Sequence, residues 1–271
     1  MSSLPCKACI TGFFHDGKPL GSEQSICGYD TYVSPIPERP KGVILFLTDI
    51  FGWELVNSRL LADTYAKEGN FIVYTPNVFP FQPVPLDYMH SIHATTEDMV
   101  PGFVSLWYQR MAVLPRIAAF LYLTRPAVMQ PKIFQLARDL KEKHPDLPLF
   151  AVGFCWGGKY SLPLGTAKMT PGIMTAVAAE HPSMLTIPDD VAAVVPMSVG
   201  FGEKDTYISE RTIDGIRKAL GESGMDHEII SYTGMEHGFA VRGDVRKPDV
   251  KEGMTQAKDQ VLNWFVKYTS K

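Results

Sequence analysis

A glycine-flanked cysteine, Cys155, constrains the possible folds of this chain more than any other feature. It lies in the motif Gly-Phe-Cys-Trp-Gly (153–157), directly after a short apolar run at 148–152 and before a helix-like segment that starts at Lys159. The apolar run predicts a buried strand, so the cysteine lies where a strand turns sharply into a helix. In Gly-x-Ser-x-Gly sequences this context holds a nucleophile, and here cysteine takes the place of serine.

The two glycines of this motif have a steric role, because the residue on such a turn has a strained backbone and neighbouring side chains would collide. The amino terminus of a helix also favours a thiolate through its partial positive charge and its unpaired N–H groups. The alternative interpretation is a small buried cysteine in a glycine-rich turn. A base and an orienting acid elsewhere in the chain would decide between the two.

The composition is that expected for one globular α/β domain with a sizeable core. Of the 271 residues, 45% are hydrophobic and 20% are charged, and the net charge is -3. This balance gives no electrostatic reason to expect a nucleic acid or an anionic membrane as a partner. We expect no secretory signal and no membrane-spanning helix. Four cysteines are too few for a disulfide scaffold, which favours a reducing, cytoplasmic location.

Two short patterns resemble metal sites, namely Cys6-x-x-Cys9 and His90-x-x-His93. The cysteine pair lacks two further ligands at regular spacing, and it does not follow a strand as a redox motif would. No carboxylate cluster accompanies the histidine pair. We therefore expect no metal and no cofactor.

The chain alternates strand-like and helix-like segments, which predicts a mostly parallel sheet with helices on both faces. We expect a single domain over residues 1–271, with an N-terminal arm at about 1–28. The aromatic-rich and proline-rich segment at about 76–131 is expected to form a pocket or lid, the alternative being an extra packed helix pair. Predicted strands cover 29–33, 43–48, 71–74, 148–152, 175–179, 192–198 and 227–232, and predicted helices cover 57–68 (stopped by Gly69), 133–143, 209–220 and 253–268.

His237 and Asp205 are the candidates for the base and the acid. His237 lies just past the predicted strand at 227–232, and Asp205 follows the strand that is expected to end near Ser198. Because parallel strands end on the same side of a sheet, both side chains can reach Cys155. The chain order Cys155, Asp205, His237 is also the nucleophile–acid–histidine order of the α/β-hydrolase fold. The sequence therefore predicts a catalytic triad.

With these motifs the sequence resembles the dienelactone hydrolase family over nearly its whole length. The shared patterns are Asp-Ile-Phe-Gly (49–52), Gly-x-Cys-x-Gly-Gly (153–158), Gly-x-x-Asp (202–205) and Glu-His-Gly-Phe (236–239). The N-terminal Cys6-x-x-Cys9, Gly12 and Gly28-x-Asp-Thr-Tyr are similar to its fungal branch. The resemblance implies a single-domain α/β-hydrolase fold and a cofactor-independent hydrolase of small-molecule esters or lactones, with a homodimer as one expected assembly.

The resemblance also implies roles for individual residues. It gives Cys155 as the nucleophile of an acyl-thiol mechanism, His237 as the base and Asp205 as its orienting partner. The backbone N–H groups of Ile50 and Trp156 would form the oxyanion hole, which agrees with the general rule that one donor follows the nucleophile.

Further roles follow for residues around the triad. Asp49 stands where the family has an acidic residue, usually the longer glutamate, that contacts the resting thiol. Bacterial members hold a substrate carboxylate with arginines, and Arg242 lies one position beyond the matching place. It is therefore either a carboxylate anchor or a surface charge. Other expected substrate contacts are Trp53, Phe81, Trp107 and Phe239.

Two other kinds of function remain open at this point. The same triad serves thioesterases, acyl transferases and enzymes that cleave carbon–carbon or carbon–halogen bonds. The second kind of function is that of a ligand-binding or redox-responsive protein without catalysis. An intact Cys-Asp-His set argues against a protein without catalysis, because folding alone would not require all three side chains.

Overall fold

An eight-stranded sheet forms the centre of the structure, a computed structural model that describes residues 12–81, 86, 115 and 118–269. The strand order is β1-β2-β4-β3-β5-β6-β7-β8. The strands are β1 (Ser22–Ile26), β2 (Tyr29–Val33), β3 (Val43–Leu47), β4 (Ile72–Pro76), β5 (Leu149–Phe154), β6 (Ala176–Glu180), β7 (Met197–Gly202) and β8 (His227–Tyr232).

The sheet is mostly parallel, as the alternating pattern of strands and helices predicted. β1 and β2 form an antiparallel hairpin at one edge, and β2 also pairs antiparallel with β4. Every pairing from β4 through β3 to β8 is parallel. The carboxyl ends of β3, β5, β6, β7 and β8 therefore lie along the same side of the sheet, and the loops that follow them meet there.

Helices cover both faces of the sheet, which gives one α/β domain with two apolar layers. They are α1 (Val56–Gly69), α2 (Pro126–Lys143), α3 (Gly158–Leu164), α4 (Glu210–Ser223), α5 (Phe239–Arg242) and α6 (Pro248–Val266). Side chains of β3 alternate between the layers. Ile44 and Phe46 pack with α1 and α6, whereas Leu45 and Leu47 pack with α2 and α4.

Some of the predicted boundaries were wrong. The strand expected at 192–198 is β7, which begins only at Met197, because Pro196 has no N–H to donate to a sheet ladder. The backbone N–H groups of Val194 and Val195 donate instead to Gly165 O. The strand continues to Gly202, three residues before Asp205.

The first long helix also ends differently from the prediction. Gly69 is its last helical residue, and Asn70 caps it with a φ of 61°. Asparagine tolerates this left-handed conformation. Glycine is required at 69 for space, because a methyl group there would lie 2.6 Å from a ring carbon of Phe71.

Two helices begin earlier than predicted, and each begins with a proline. α2 starts at Pro126 and α6 at Pro248, so both prolines occupy the first turn, where the missing N–H costs nothing. The strand β1 was not predicted, because its sequence Ser-Glu-Gln-Ser-Ile lacks an apolar pattern and four of its five residues are exposed.

Most of the segment expected to form a pocket or lid, at about 76–131, lies outside the described residues, so that expectation stays a prediction. No helix within the described ranges is both long enough and apolar enough to span a bilayer.

Candidate active site

Cys155 occupies a sharp turn between β5 and α3. Its φ is 51°, a left-handed conformation that non-glycine residues rarely adopt. A methyl group on Gly153 would overlap the carbonyl of Gly157, and one on Gly157 would overlap the carbonyl of Leu47 at the end of β3. The two glycines therefore have the steric role that the motif predicted.

His237 and Asp205 lie beside the cysteine in a continuous chain of polar contacts. His237 Nε2 is 3.1 Å from Cys155 Sγ, and His237 Nδ1 is 2.8 Å from Asp205 Oδ2. The side chains of Asp205 and His237 are fully buried. The other carboxylate oxygen, Asp205 Oδ1, accepts a hydrogen bond of 2.8 Å from the Tyr207 N–H, which fixes the orientation of the carboxylate.

The electrostatics of this group favour an imidazolium on His237. Burial alone would lower the pKa of His237, but the negative charge of Cys155 and the hydrogen bonds with Asp205 and Cys155 raise it to about 9. A protonated His237 can donate to both neighbours at once, to the sulfur through Nε2 and to the carboxylate through Nδ1. The arrangement therefore suits a thiolate–imidazolium pair oriented by a carboxylate.

Asp49 and Arg242 form a buried ion pair at the edge of the site. Arg242 Nε donates to Asp49 Oδ2 at 2.6 Å, and the Phe51 N–H donates to Asp49 Oδ1 at 2.9 Å. Burial raises the pKa of the Asp49 carboxyl, the Arg242 charge opposes that rise, and the nearby negative charge of Cys155 adds to it. Arg242 is 2% exposed, so the interpretation of this arginine as a surface charge was wrong.

The predicted oxyanion donors stand at the ends of two neighbouring strands. Ile50 follows β3 and Trp156 follows Cys155. The N–H groups on either side of Trp156 are used internally, since Cys155 donates to Glu180 O and Gly157 donates to Phe154 O. Within the described residues, no hydrogen bond uses the N–H of Ile50 or of Trp156.

An aromatic cluster surrounds the Trp156 ring. The indole Nε1 donates to Thr124 Oγ1 at 3.2 Å, and the ring centroids of Tyr160 and Phe79 lie 4.4 and 4.6 Å away. Because the ring is fully buried, it holds the backbone that follows Cys155 in place.

The predicted substrate contacts have different environments. Trp53 is half-buried beneath the Arg59 guanidinium, which lies 4.9 Å from the Trp53 ring centroid. Phe81 is half-buried against the core layer of α2 and α4. Phe239 is buried, with its ring centroid 5.8 Å from that of His181. Trp107 lies outside the described residues, and a contact between substrate and any of these four stays a prediction.

Three residues that the sequence analysis assigned no role border the site, at the carboxyl end of β6. Glu180 is the last residue of the strand, and His181 and Ser183 lie in the segment after it. The His181 ring centroid is 5.2 Å from that of His237, and Ser183 Oγ is 3.8 Å from Cys155 Sγ. Their position just past a predicted strand, at the edge that already held Cys155 and Asp205, was the signal that could have found them.

Glu180 and His181 are buried without a hydrogen-bond partner for their side-chain atoms in the described part of the chain. Burial lowers the pKa of His181 well below its ordinary value, and the charges of His237 and Arg242 lower it further. Burial likewise raises the pKa of Glu180 well above its ordinary range. Burial therefore favours the neutral form of both side chains.

Among the described residues, no group of three or more histidine, cysteine, aspartate or glutamate side chains could hold a metal ion. Cys6, Cys9, His90 and His93 lie outside those residues, and no role is assigned to them.

Comparison with known proteins identifies the family of this chain and several of its relatives. The model of the dienelactone hydrolase family matches residues 30–269. The chain is 29% identical to hydrolase pyvD of Aspergillus violaceofuscus over the full length of both proteins. It is 28% identical to hydrolase tropI of Talaromyces stipitatus, covering 99% of this chain and 98% of that one.

Among solved structures, a protein of Klebsiella pneumoniae described as a dienelactone hydrolase superposes with a TM-score of 0.64. The superposition covers 92% of this chain and 98% of that one at 20% identity, which is evidence about the fold alone.

Proposed function

The chain belongs to the dienelactone hydrolase family and is an ester or lactone hydrolase, and from this premise we propose that Cys155, His237 and Asp205 catalyse the reaction through an acyl-thiol intermediate. The observation that carries the proposal is the buried chain of contacts from Cys155 Sγ through the His237 ring to Asp205 Oδ2, at 3.1 and 2.8 Å. Its geometry meets the hydrogen-bond reach required of a nucleophile, a base and an orienting acid.

In acylation the thiolate of Cys155 attacks the carbonyl carbon of the ester or lactone. A carbon–sulfur bond forms, and the carbonyl electron pair moves onto oxygen. The N–H groups of Ile50 and Trp156 stabilise this oxyanion. When the tetrahedral intermediate collapses, the carbon–oxygen bond breaks and His237 gives its proton to the leaving alkoxide. A lactone ring opens in this step, and its alcohol remains attached to the acyl group.

Deacylation returns the site to its starting state. A water oxygen bonds to the acyl carbon, and its proton passes to the now neutral His237. The carbon–sulfur bond then breaks with its electron pair on Cys155 Sγ, which restores the thiolate and the imidazolium. Asp205 accepts from His237 Nδ1 throughout and so keeps Nε2 directed at the reacting atoms.

Asp49 and Arg242 contribute a neutralised pair beside the thiol. In the structure the Arg242 charge is directed at Asp49, and the Asp49 carboxylate lies near enough to Cys155 for their charges to interact. We propose that Arg242 compensates the negative charge of Asp49, so that the Cys155 thiolate does not lie beside an uncompensated carboxylate. A role for Arg242 in binding a substrate carboxylate would require it to leave Asp49.

A thiolate nucleophile and the small number of cysteines also support the proposal of a reducing, cytoplasmic location. Within the reaction, no step above requires a cofactor, and the substrate we propose is a small ester or lactone.

The test is a hydrolysis screen of p-nitrophenyl acetate and butyrate, γ-butyrolactone and dihydrocoumarin with the wild type and with Cys155→Ala. Turnover of at least one substrate by the wild type and none by the variant is the expected result. A covalent adduct of acyl mass on Cys155, trapped by acid quenching and located by peptide mass spectrometry, would identify the thioester directly. Equal turnover by both proteins would exclude the acyl-thiol mechanism.

A further inference from the structure

Backbone hydrogen bonds connect Cys155 to the end of β6 and to the segment that follows this strand. The Cys155 N–H donates to Glu180 O at 3.1 Å, and the Ser183 N–H donates to Cys155 O at 3.1 Å. Pro182 packs against the first turn of α3, where a methyl group on Gly158 would lie 2.7 Å from Pro182 Cβ. These contacts fix the position of Ser183 relative to Cys155.

The backbone between these two hydrogen bonds is strained. His181 has a φ of 40°, in the left-handed region, and its N–H donates to Gly200 O at 2.7 Å. A non-glycine residue rarely adopts this conformation, which persists only where surrounding contacts enforce it. The strained turn redirects the chain, so that Ser183, two residues later, is again beside Cys155.

The Ser183 side chain reaches the reactive sulfur. Ser183 Oγ is 3.8 Å from Cys155 Sγ, within hydrogen-bond range for sulfur, and the serine is 4% exposed. His237 Nε2 lies 3.1 Å from the same atom. A thiolate has lone pairs and no proton, so a hydroxyl beside it can only donate. Hydrogen bonds to a charged partner are roughly twice as strong as neutral ones.

We propose that Ser183 is a fourth member of the catalytic group, and that its hydroxyl donates a hydrogen bond to the Cys155 thiolate. The inference rests on the proposed role of Cys155 as the nucleophile. His237 stabilises the thiolate mainly through charge, and Ser183 adds a neutral donor that does not titrate. The negative charge on sulfur is therefore stabilised by the Ser183 hydroxyl as well as by His237.

This donor also acts in deacylation. His237 has by then taken the proton of the attacking water, and the carbon–sulfur bond breaks with its electron pair on sulfur. The Ser183 hydroxyl then stabilises the thiolate as it forms. No proton leaves Ser183 in this step, because the water proton goes to His237 and the hydroxyl only donates a hydrogen bond to the sulfur.

The experiment measures the pH dependence of Cys155 alkylation by iodoacetamide, which requires no substrate. It uses the full-length chain with Cys6, Cys9 and Cys27 changed to serine, so that Cys155 is its only thiol. We expect Ser183→Ala to raise the apparent pKa of alkylation by about one unit, which is about a tenfold smaller thiolate fraction below that pKa. Acyl-enzyme breakdown in the same variant, followed by mass spectrometry, should slow.

A second matched pair separates the hydroxyl from the volume of the side chain. Ser183→Thr keeps the hydroxyl, and Ser183→Val has the shape of the threonine without it. The apparent pKa should stay near that of the wild type for threonine and rise for valine, and this comparison remains decisive should the alanine variant fail to fold. Equal pKa values for the threonine and valine variants would overturn the proposal. That result would not affect the proposed acyl-thiol mechanism. Conversely, esterase activity in Cys155→Ala would refute that mechanism but would not change the measured effect of Ser183 on the alkylation pKa.

Discussion

Arg242 and Asp49 lie 193 positions apart in the chain and form a buried ion pair, with Arg242 Nε 2.6 Å from Asp49 Oδ2. Asp49 follows β3, and Arg242 ends the short helix α5 that follows His237. The ion pair thus connects the loop after β3 with the segment after β8, on the side of the sheet where Cys155, Asp205 and His237 lie. Residues 12 and 13 cover it, since the Phe13 N–H donates to Arg242 O and Gly12 leaves no room for a side chain beside Arg242 Cβ.

We expect Arg242→Met to destabilise the protein by about 3 to 5 kcal/mol at pH 7.5, because it leaves the Asp49 carboxylate buried without its cation. The double variant Asp49→Asn with Arg242→Met should be less destabilised than the sum of the two single variants. Urea unfolding of the three variants gives these free energies. Arg217→Met, which removes an exposed arginine paired with Asp214, is the control and should stay within about 0.5 kcal/mol of the wild type. An additive double variant would contradict the pairing.

The nucleophile is tested by two substitutions at one position. Cys155→Ala should abolish ester hydrolysis and leave the unfolding midpoint nearly unchanged. Cys155→Ser should fold normally but lose at least about tenfold in kcat/KM, about 1.4 kcal/mol of transition-state stabilisation, because its hydroxyl must lose a proton during attack. Cys27→Ser, in the hairpin between β1 and β2, should retain full activity. A serine variant as active as the wild type would argue against a thiolate mechanism.

Asp205→Asn should reduce kcat by orders of magnitude, since an amide NH₂ facing His237 Nδ1 stabilises the wrong tautomer of the imidazole. The equivalent change in a serine protease costs ~10⁴. The asparagine can keep the hydrogen bond from the Tyr207 N–H, so circular dichroism and the unfolding midpoint should be preserved. Steady-state kinetics on p-nitrophenyl butyrate provide the measurement. Glu203→Gln is the matched control, and activity lost there and kept in Asp205→Asn would move the acid to Glu203.

The pH dependence of the reaction should follow His237. Its pKa is raised to about 9, so the imidazolium persists through neutral pH and is lost as the pH rises through about 9. We expect kcat/KM to be level from about pH 7 to 8 and to fall above about 9. The stabilisation of the fold by this group should likewise be complete below about 6.5 and lost as the pH rises through about 9. A fall in kcat/KM already centred near pH 7 would show that His237 is not held as the imidazolium.

At neutral pH we expect the wild type, with Glu180, to be less stable than a variant with an uncharged residue at this position. Burial raises its folded-state pKa, and the charge of Glu228 raises it further, so the folded protein retains a proton that the unfolded chain releases above about pH 4.3. Stability therefore falls as the pH rises from that value towards the folded pKa. Glu180→Gln removes this loss. Urea titrations at pH 4.5, 6 and 8 give the free energies of unfolding of the variant and of the wild type. The variant's value minus the wild-type value should increase with pH. A pH-independent difference would show that Glu180 is ionised in the folded protein.

The sequence predicted those parts of the site that depend on local geometry and chain order. Cys155 is recognisable because an apolar strand, two glycines and a helix start surround it, and His237 and Asp205 because each follows a strand of the same parallel sheet. Strand ends in a parallel sheet converge whatever the loops contain. Those three positions therefore needed no knowledge of tertiary packing.

Other features required the folded chain. The burial of Arg242 follows from packing between segments at 12–13, 49–51 and 238–242, and no local pattern distinguishes this arginine from an exposed one. Ser183 reaches Cys155 only because the backbone turns at His181 into a conformation that its sequence does not favour. The start of β7 after Pro196 was the exception, since the missing N–H of proline was readable in advance.

The register between β3 and β5 has a practical consequence for changing the substrate range of this enzyme. Leu47 pairs with Gly153, and the Leu47 carbonyl fills the space beside Gly157, so both strand ends are level where Ile50 and Trp156 follow them. The register of the sheet thereby sets where the two turns that carry these N–H groups begin. Mutant libraries can therefore vary the loop side chains that we predict to contact a substrate, such as Trp53 and Phe81. Insertions or deletions within 47–50 or 153–157 would move one donor by a whole residue and should yield only inactive clones.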